Sequence, residues 1–240
     1  MRRKRYIAIA ALLAASVCSV HAQKMSNSSN SLLVHHIRTD FPITNLDDKS
    51  WKEANEVGMG NYWSGEPAPT GRHFKARLLW SDAALYVRFE AVQTEPLVIA
   101  EKPDLTRKTM NLWDRDVCEI FIAPERTTPN RYFEFEVAPT GEWIDVGIEV
   151  LPDKRVSEWE YRSGMQTSAR IEKDKVVMAV RIDWKALGRV PRSGEAWPGN
   201  LYRCVGRDPS RGYLAWRPTR TATPAFHVPD RFGEFVFTSE

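Results

Sequence analysis

The chain has 240 residues, of which 42% are hydrophobic and 11% are aromatic, enough apolar surface to build the core of one domain. Its formal net charge is +3, and part of that charge belongs to the basic cluster at residues 2–5. The rest of the chain is therefore close to neutral, which excludes an electrostatic argument for binding nucleic acid or an acidic membrane.

The first 22 residues have the pattern of a secretory signal peptide. The basic cluster precedes an apolar run from Tyr6 to Val20, and the small residue Ala22 provides a cleavage site. This run is shorter than the roughly 20 apolar residues of a membrane span. We therefore predict a secreted or periplasmic protein that has no integral membrane span after the signal is removed. The Ser/Asn-rich residues 23–31 are predicted as a flexible leader, and residues 32–240 as a single folded domain.

Alternation of apolar and polar residues with period two predicts that strands dominate this domain. Residues 74–80 and 85–91 alternate on either side of a Ser-Asp-Ala-Ala turn, which predicts a β-hairpin. A second hairpin is predicted over residues 132–137 and 144–148, around a Pro-Thr-Gly turn.

Further strands are predicted toward the C-terminus, at residues 167–172, 176–183, 200–207, 213–217 and 232–238. Only residues 183–187 look briefly helical. Many short strands, without an amphipathic helical stretch of a dozen residues, favour an all-β fold. We therefore predict a single-domain antiparallel β-sandwich of immunoglobulin-like or jelly-roll-like form.

The nine tryptophans are numerous for a chain of this length, and several fall in loops rich in Gly, Pro and Asp. These loop residues are Trp63, Trp113, Trp159 and Trp216. The C–H faces of sugars stack on flat indole rings, and sugar hydroxyls need charged or amide partners. Loop tryptophans near Arg, Asp, Glu and Asn therefore indicate a carbohydrate site, although packing of some of them in the core is the alternative.

Residues 113–122 contain the densest group of candidate polar side chains. If Cys118, Ile120 and Ile122 face the core, Glu119 must project from the opposite face of its strand. Its expected neighbours there are the outward side chains of the second hairpin, Tyr132, Glu134 and Glu136. A carboxylate in the middle of a strand needs a partner, so either a ligand or an arginine is expected beside Glu119.

Two cysteines remain once Cys18 leaves with the signal peptide, and an exported protein permits them to pair. Cys118 and Cys204 are thus candidates for a disulfide, the alternative being two buried thiols in separate strands. Asp114 and Asp116 are candidate calcium ligands because hard cations prefer oxygen donors. The alternative for both is a loop carboxylate that caps a turn.

Several segments together resemble the family 9 carbohydrate-binding modules. The resemblance extends over nearly the whole chain after the signal. The matching segments are Trp51–Ala54, Leu79–Asp82, Leu85–Phe89, Trp113–Ile122, Tyr132–Gly141 and Phe226–Gly233. The resemblance implies an antiparallel sandwich, related to DOMON-type domains, that binds sugar and can carry structural calcium.

The resemblance also implies site residues and a role. Members of the family hold the terminal sugar between two tryptophans, one of which corresponds to Trp113, and a strand carboxylate corresponding to Glu119 bonds sugar hydroxyls. Trp216 is the predicted second tryptophan, with Trp63 and Trp159 as alternatives, and Asn200 and Arg203 are predicted to hydrogen-bond the ligand. The implied function is non-catalytic binding of an oligosaccharide or polysaccharide outside the cytoplasm, in carbohydrate catabolism, with a glycoside hydrolase as a candidate partner.

The sequence leaves two other functions open, a glycosidase and a haem-binding domain. A glycosidase needs two opposed carboxylates, and Glu119, Glu134, Glu136 and Asp145 supply only the residue type. A haem-binding domain of the DOMON type would use Met with His or Lys. His73, His227, Met59 and Met110 are available for this purpose, but no haem-attachment motif accompanies them.

Overall fold

The computed structural model describes residues 30–239, so the predicted signal peptide and most of the predicted leader lie outside the described residues. The strands are β1 (Ser31–His36), β2 (Glu56–Met59), β3 (Phe74–Trp80), β4 (Ala84–Val92), β5 (Val117–Ile122), β6 (Arg131–Val137), β7 (Trp143–Val150), β8 (Arg155–Glu158), β9 (Gln166–Ile171), β10 (Lys175–Asp183), β11 (Ala196–Val205), β12 (Gly212–Ala215) and β13 (Gly233–Thr238). One short helix, α1 (Trp184–Leu187), follows β10. No helix in residues 30–239 is long and apolar enough to cross a membrane.

The strands form one continuous sheet that curls over on itself, in the order β8-β7-β6-β5-β11-β13-β1-β3-β4-β10-β9. β12 is paired to β11, and β2 is paired to β3. The pairs β1–β13 and β1–β3 are parallel, whereas the other pairs are antiparallel. The predicted all-β sandwich is therefore confirmed, with β13 and β1 connecting its two halves.

The main core lies between the two halves. Each strand contributes alternate side chains to it, namely those on its inward face. Phe74, Leu78 and Val87 from the first hairpin meet Ile120 and Phe135 from the opposite half. All five side chains are essentially inaccessible to water. At about 25 cal/mol per Å² of apolar surface, each contributes about 1.5–3 kcal/mol to folding.

Both halves also bury apolar residues on their outer faces. Tyr86, which the alternation of β4 places outside the main core, lies under residues 37–54 and stacks on Phe41 at 4.6 Å. On the other half, Phe121, Tyr132 and Tyr202 form a second apolar cluster under loops. This second cluster supports the candidate site.

Candidate functional site

A cavity of about 340 Å³ opens on the outer face of the half formed by β5–β8, β11 and β12. Its walls include the aromatic side chains of Trp113, Trp159, Tyr213 and Phe226, and its floor includes Glu119 and Glu134. Arg155 and Ser157 of β8 also line it. The cavity thus combines flat apolar rings with a carboxylate floor and a few donors, and we call it the tryptophan pocket.

Trp113 and Trp159 form one wall of the tryptophan pocket. Their ring centroids are 5.8 Å apart and their planes are tilted by 35°. A sugar ring between two indoles would need about 7–8 Å, which is two carbon–carbon contact distances of about 3.5–4 Å. In this conformation the two rings therefore make a bent, continuous platform and not the two sides of a sandwich.

The Trp113 loop is held by a single arginine. Trp113 lies in a short 3-10 turn that begins after Asn111, whose φ of 56° is left-handed. Arg211 donates hydrogen bonds to the carbonyls of Trp113 (2.5 Å) and Arg115 (2.7 Å). Its guanidinium also lies 5.5 Å from the centre of the Tyr213 ring. One cation therefore fixes two aromatic walls of the pocket.

The Trp159 loop is held in a similar way by a buried lysine. Lys108 Nζ pairs with Asp145 Oδ1 at 2.5 Å and donates to the carbonyls of Tyr161 (2.7 Å) and Trp159 (3.2 Å). Asp145 also accepts from the backbone and hydroxyl of Ser163, both at 2.6 Å. Because ordering a loop before a ligand arrives reduces the entropic cost of binding, both clamps preorganise the platform.

Three glutamates lie side by side on the pocket floor. Glu119 and Glu136 are direct partners across β5 and β6, and Glu134 lies two residues before Glu136 on the same face. All three are buried, and one carboxylate oxygen from each lies within 4.8 Å of one oxygen from each of the others. We call this group the glutamate cluster.

Burial raises the pKa of all three carboxyl groups, because the charged form loses its water. The pKa of Glu119 rises to about 8, with repulsion from Glu134 as the second cause. The pKa of Glu134 rises to about 7, and that of Glu136 rises well above its ordinary value, with Glu119 and Glu134 adding repulsion. The cluster therefore retains protons at pH 7.

A histidine lies between the glutamate cluster and the second apolar cluster. The Tyr132 hydroxyl and His227 Nδ1 are 2.8 Å apart, and His227 Nε2 is 3.9 Å from Glu134 Oε2. Burial lowers the pKa of His227 to about 3 and raises that of Tyr132. The ring is therefore neutral at pH 7, so it supplies no positive charge to balance the carboxylates.

The structure brings together two of the residues predicted as sugar ligands, Trp113 and Glu119. Strand parity also placed Glu119 beside Glu134 and Glu136, and the β5–β6 register agrees. Trp159, which the sequence offered only as an alternative, is the tryptophan next to Trp113.

Trp216, the predicted second stacking residue, lies elsewhere. Its ring stacks on Phe235 at 5.6 Å with an 11° angle between the planes, within the main core. Its remaining exposed surface borders a different cavity, beside Arg217 and Arg220. The expectation that it faces Trp113 is corrected, because Trp216 continues the pairing of β12 opposite Leu201 and strand alternation turns it to the core face, whereas Tyr213 and Ala215 face the outer side.

Asn200 and Arg203 also require correction as pocket residues. Asn200 is fully buried and holds the backbone of Arg217 through two hydrogen bonds of 2.9 Å, one donated and one accepted. Arg203 is opposite Cys118 and faces the core side, whereas Glu119 is opposite Tyr202. Both side chains therefore use their polar groups on the protein and not on the pocket.

Of the two alternatives for the cysteines, the structure shows two buried thiols in separate strands and not the candidate disulfide. Cys118 and Cys204 are both free and buried. Cys204 on β11 is paired with Val117 on β5, and Cys118 is paired with Arg203. The two cysteines are therefore one register position apart, so their thiols project from opposite faces of the sheet. Cys204 Sγ lies instead 3.3 Å from Glu119 Oε1 and donates to it.

The two candidate calcium ligands serve different purposes. Asp116 is buried, and its oxygens accept hydrogen bonds from the backbone of Gly206 (2.7 Å) and Val98 (3.1 Å). Its donor set does not fit a cation site, because these N–H groups occupy the oxygens. Asp114 is exposed at the rim of the tryptophan pocket. Calcium binding elsewhere on the chain stays a prediction.

The four residues considered as haem ligands do not converge on the pocket. Only His227 borders it. The His73 ring bonds the carbonyl of Ala68 at 2.9 Å, Met59 is in the main core, and Met110 is exposed.

Several walls of the pocket were not predicted from the sequence as pocket residues, namely Arg155, Tyr213, Phe226 and His227. Strand β8, which carries Arg155, has a mostly exposed side-chain pattern and no apolar alternation to reveal it. The stacking of Phe226 on Tyr202, at 4.0 Å and 10°, joins residues 24 positions apart. No local signal predicts such a pair.

Comparison with known proteins agrees with this architecture. The sequence profile described as carbohydrate family 9 binding domain-like matches residues 44–240. No curated protein sequence is similar enough to count as a relative. Three solved structures share the fold at 16% identity.

One of these structures is a candidate carbohydrate-binding protein from Bacteroides uniformis, with a TM-score of 0.69 over 88% of this chain and 100% of that one. The second is a family 9 carbohydrate-binding module from Caldicellulosiruptor kristjanssonii in complex with cellotriose, with a TM-score of 0.63 over 88% and 94%. A family 9 module from the same organism in complex with glucose has a TM-score of 0.61 over 87% and 96%. Since the profile matches most of its length, this chain belongs to the carbohydrate family 9 binding domain-like family.

Proposed function

We propose that this protein binds an oligosaccharide or polysaccharide in the tryptophan pocket without cleaving it. The observation that carries the proposal is the meeting of the Trp113–Trp159 platform with the carboxylate floor in one cavity. Sugars present apolar C–H faces and hydroxyl donors together, and this pocket offers a partner to each. Membership of the family and the carbohydrate complexes of similar folds support the same function.

The pocket divides the recognition of a sugar between two surfaces. The platform would stack on one face of a pyranose ring, with Tyr213 and Phe226 providing further apolar contact. The carboxylates of Glu119 and Glu134 would accept hydrogen bonds from hydroxyls, while Arg155 would donate to ring or hydroxyl oxygens. The structurally similar modules are complexed with cellotriose and glucose, so glucose-containing oligosaccharides are the first ligands to test.

The arrangement of carboxylates favours binding over hydrolysis. A glycosidase places two carboxyl groups on either side of the scissile bond, about 5–10 Å apart. In the glutamate cluster one oxygen from each residue lies within 4.8 Å of one oxygen from each of the others, and the carboxyl groups share a single floor instead of facing each other across the cavity. Asp145, the other carboxylate considered, is paired with Lys108 away from this floor. These features support a non-catalytic role.

The place of action is part of the proposal. The signal-like residues 1–22 support a secreted or periplasmic protein that acts in carbohydrate catabolism. A glycoside hydrolase that releases or receives the bound saccharide is the partner that this role requires.

Calorimetric titration of the purified chain with cello-, xylo- and manno-oligosaccharides tests the proposal. Trp113→Ala and Trp159→Ala should each weaken binding by about 2 kcal/mol, or about thirtyfold in Kd, as expected for a central aromatic contact. Trp216→Phe is the matched control, since Trp216 packs on Phe235 away from the pocket, and it should leave Kd unchanged.

Chromatography of the same mixtures after long incubation tests the absence of cleavage. Intact oligosaccharide together with a loss of binding in both pocket variants is the expected result. Released products would replace the binding function with a hydrolase. Binding that is lost in Trp216→Phe but kept in Trp159→Ala would move the site to the other cavity.

A further inference from the structure

A second cavity, of about 380 Å³, shares no lining residue with the tryptophan pocket. Three arginines line it, namely Arg217, Arg220 and Arg231, and Asp230 is the one acidic side chain among its described lining residues. Arg217 is half-buried, whereas Arg220 and Arg231 are exposed. The lining therefore has an excess of positive charge, and we call this space the arginine cavity.

The three guanidinium groups have no acceptor among residues 30–239. They form no hydrogen bond or ion pair with a described residue, including Asp230 in the same cavity. By contrast, Arg72 pairs with Glu95 at 2.6 Å, and Arg88 donates to the carbonyl of Leu46 at 2.9 Å. A guanidinium presents five donors in a fixed fork that matches the oxygens of a carboxylate or phosphate. Three such forks around one cavity therefore favour a ligand with acceptor oxygens.

A buried indole supplies a further donor without an acceptor, and this observation is independent of the arginines. Trp216 borders the arginine cavity and is 8% exposed. Its N–H donates to no acceptor in the part of the chain that the structure describes. It is not enclosed by protein in the way that the unpaired Trp197 Nε1 is. Because polar groups buried to this extent normally have a partner, the Trp216 N–H also indicates a ligand in the cavity.

The backbone of two of the arginines is held in place beside the cavity. Asn200 donates to the carbonyl of Arg217 and accepts from its N–H, both at 2.9 Å. The N–H of Arg220 donates to the carbonyl of Trp63 at 2.7 Å, and the φ of Arg220 is left-handed at 58°. A Cβ on Gly65 would lie 3.3 Å from the guanidinium carbon of Arg220, so the absence of a side chain there makes room for the guanidinium. Residues that are already positioned lose less entropy when a ligand binds.

We propose that the arginine cavity binds an oxyanion, namely the carboxylate or sulfate group of a small acidic ligand. The guanidinium groups pair with its oxygens through charge-assisted hydrogen bonds, and the Trp216 N–H donates to one of them. The volume of about 380 Å³ lies within the range of about 300–1,000 Å³ that is typical of small-molecule sites. The cavity therefore admits an acidic sugar as well as a free inorganic anion. This inference does not depend on the proposed function of the tryptophan pocket.

The indole N–H of Trp216 reports directly on this site. In a ¹H–¹⁵N correlation spectrum of the purified chain, its resonance is the indole signal that is missing from Trp216→Phe. Sodium sulfate and sodium glucuronate are each titrated at constant ionic strength, with NaCl as the balancing salt. Both anions should shift this resonance and reach saturation, whereas neutral glucose should leave it in place.

Two variants test the role of the arginines. Arg217→Gln and Arg231→Gln should each raise the Kd of both anions about fivefold, as expected for the loss of one partly exposed charge-assisted contact. The matched control is Arg207→Gln, which removes an exposed arginine outside the arginine cavity and should leave Kd unchanged. Tighter binding of glucuronate would identify an acidic saccharide as the source of the oxyanion, and tighter binding of sulfate would identify a free inorganic anion.

A Trp216 resonance that does not saturate with either anion would overturn the inference. Equal Kd values in Arg217→Gln, Arg231→Gln and Arg207→Gln would also overturn it, because the anion would then bind elsewhere. Calorimetry of Arg217→Gln with neutral oligosaccharides measures the tryptophan pocket separately and should give an unchanged Kd. Failure of the arginine cavity is therefore distinct from failure of the proposed function.

Discussion

Substitution of Arg203 tests whether this residue has a structural role or binds the ligand. Its guanidinium donates to the carbonyls of Arg72 and Val92, both at 2.7 Å, and to Gln93 Oε1 at 2.6 Å. The side chain is 2% exposed. It joins β11 to the loops that flank the first hairpin, on the core side of the sheet.

Arg203→Met keeps the length of the side chain and removes these bonds. Each buried acceptor left without a donor costs about 1–3 kcal/mol, and loss of a buried charged group from its network about 3–5 kcal/mol in total. At about 2–4 °C per kcal/mol for a chain of this size, Tm should fall by about 6–20 °C. The affinity for saccharide, measured by calorimetry well below Tm, should change less than twofold.

The matched control is Arg207→Met, which removes an exposed guanidinium two residues after β11 ends. It should leave Tm within 2 °C of the unmodified chain, by the usual small effect of surface substitutions of about 0.5 kcal/mol. A variant Arg203→Met that keeps its Tm but loses saccharide binding would refute the structural assignment. It would restore Arg203 as a ligand contact.

Three further predictions follow from the clamps, the carboxylates and the thiols. Lys108→Met should lower Tm, because it leaves the buried carboxylate of Asp145 without its cation. It should also weaken saccharide binding, because the Trp159 loop loses a hydrogen bond that holds it. Normal affinity in the folded variant would exclude the clamp. The free energy of unfolding should fall as pH rises from about 5 to about 8, because the unfolded carboxyls lose their protons near the ordinary pKa of 4.5, whereas the folded glutamate cluster keeps its protons up to a pKa of about 7 to 8. Urea titrations should show a shallower fall for Glu136→Gln, and an equal slope would contradict the coupling. Cys118 and Cys204 should react with a thiol reagent only after denaturation without reductant, whereas two unreactive sulfurs would indicate a disulfide.

Local alternation predicted the parts of the fold that depend on one strand and its neighbour. The hairpins β3–β4 and β6–β7 lie within two residues of the predicted bounds. The core-facing parity of β5 correctly turned Glu119 toward Glu134 and Glu136. These features depend on the two-residue period of a strand, which the sequence displays directly.

Prediction failed where both faces of a strand are buried. β11 is almost entirely inaccessible from Trp197 to Val205, so its sequence shows no alternation that would separate core from site. Asn200 and Arg203 are three positions apart, and side chains at that spacing project from opposite faces. Asn200 and Arg203 therefore cannot line the same pocket. The two-residue period of a strand is enough to exclude this, even where the sequence shows no apolar alternation.

The second tryptophan could not be found from local pattern. Trp159 and Trp216 both follow short strands and both lie in polar loops. What distinguishes them is the contact of Trp159 with Trp113, across 46 positions, and the contact of Trp216 with Phe235. Such contacts depend on the order of strands in the sheet, which alternation does not reveal.

On this half of the sandwich, the buried cations have hydrogen-bond acceptors, whereas the buried carboxyl groups lower the stability of the fold. Lys108 and Arg211 are satisfied by several acceptors each and hold the platform in place. Behind that platform, the carboxyl groups of Glu119, Glu134 and Glu136 are buried together in one cluster, although burial disfavours their charged forms. Residues that break local rules in this way are expected at functional sites. The unfavourable carboxylates and the well-satisfied clamps therefore point to the same conclusion, that this face is built to receive a ligand.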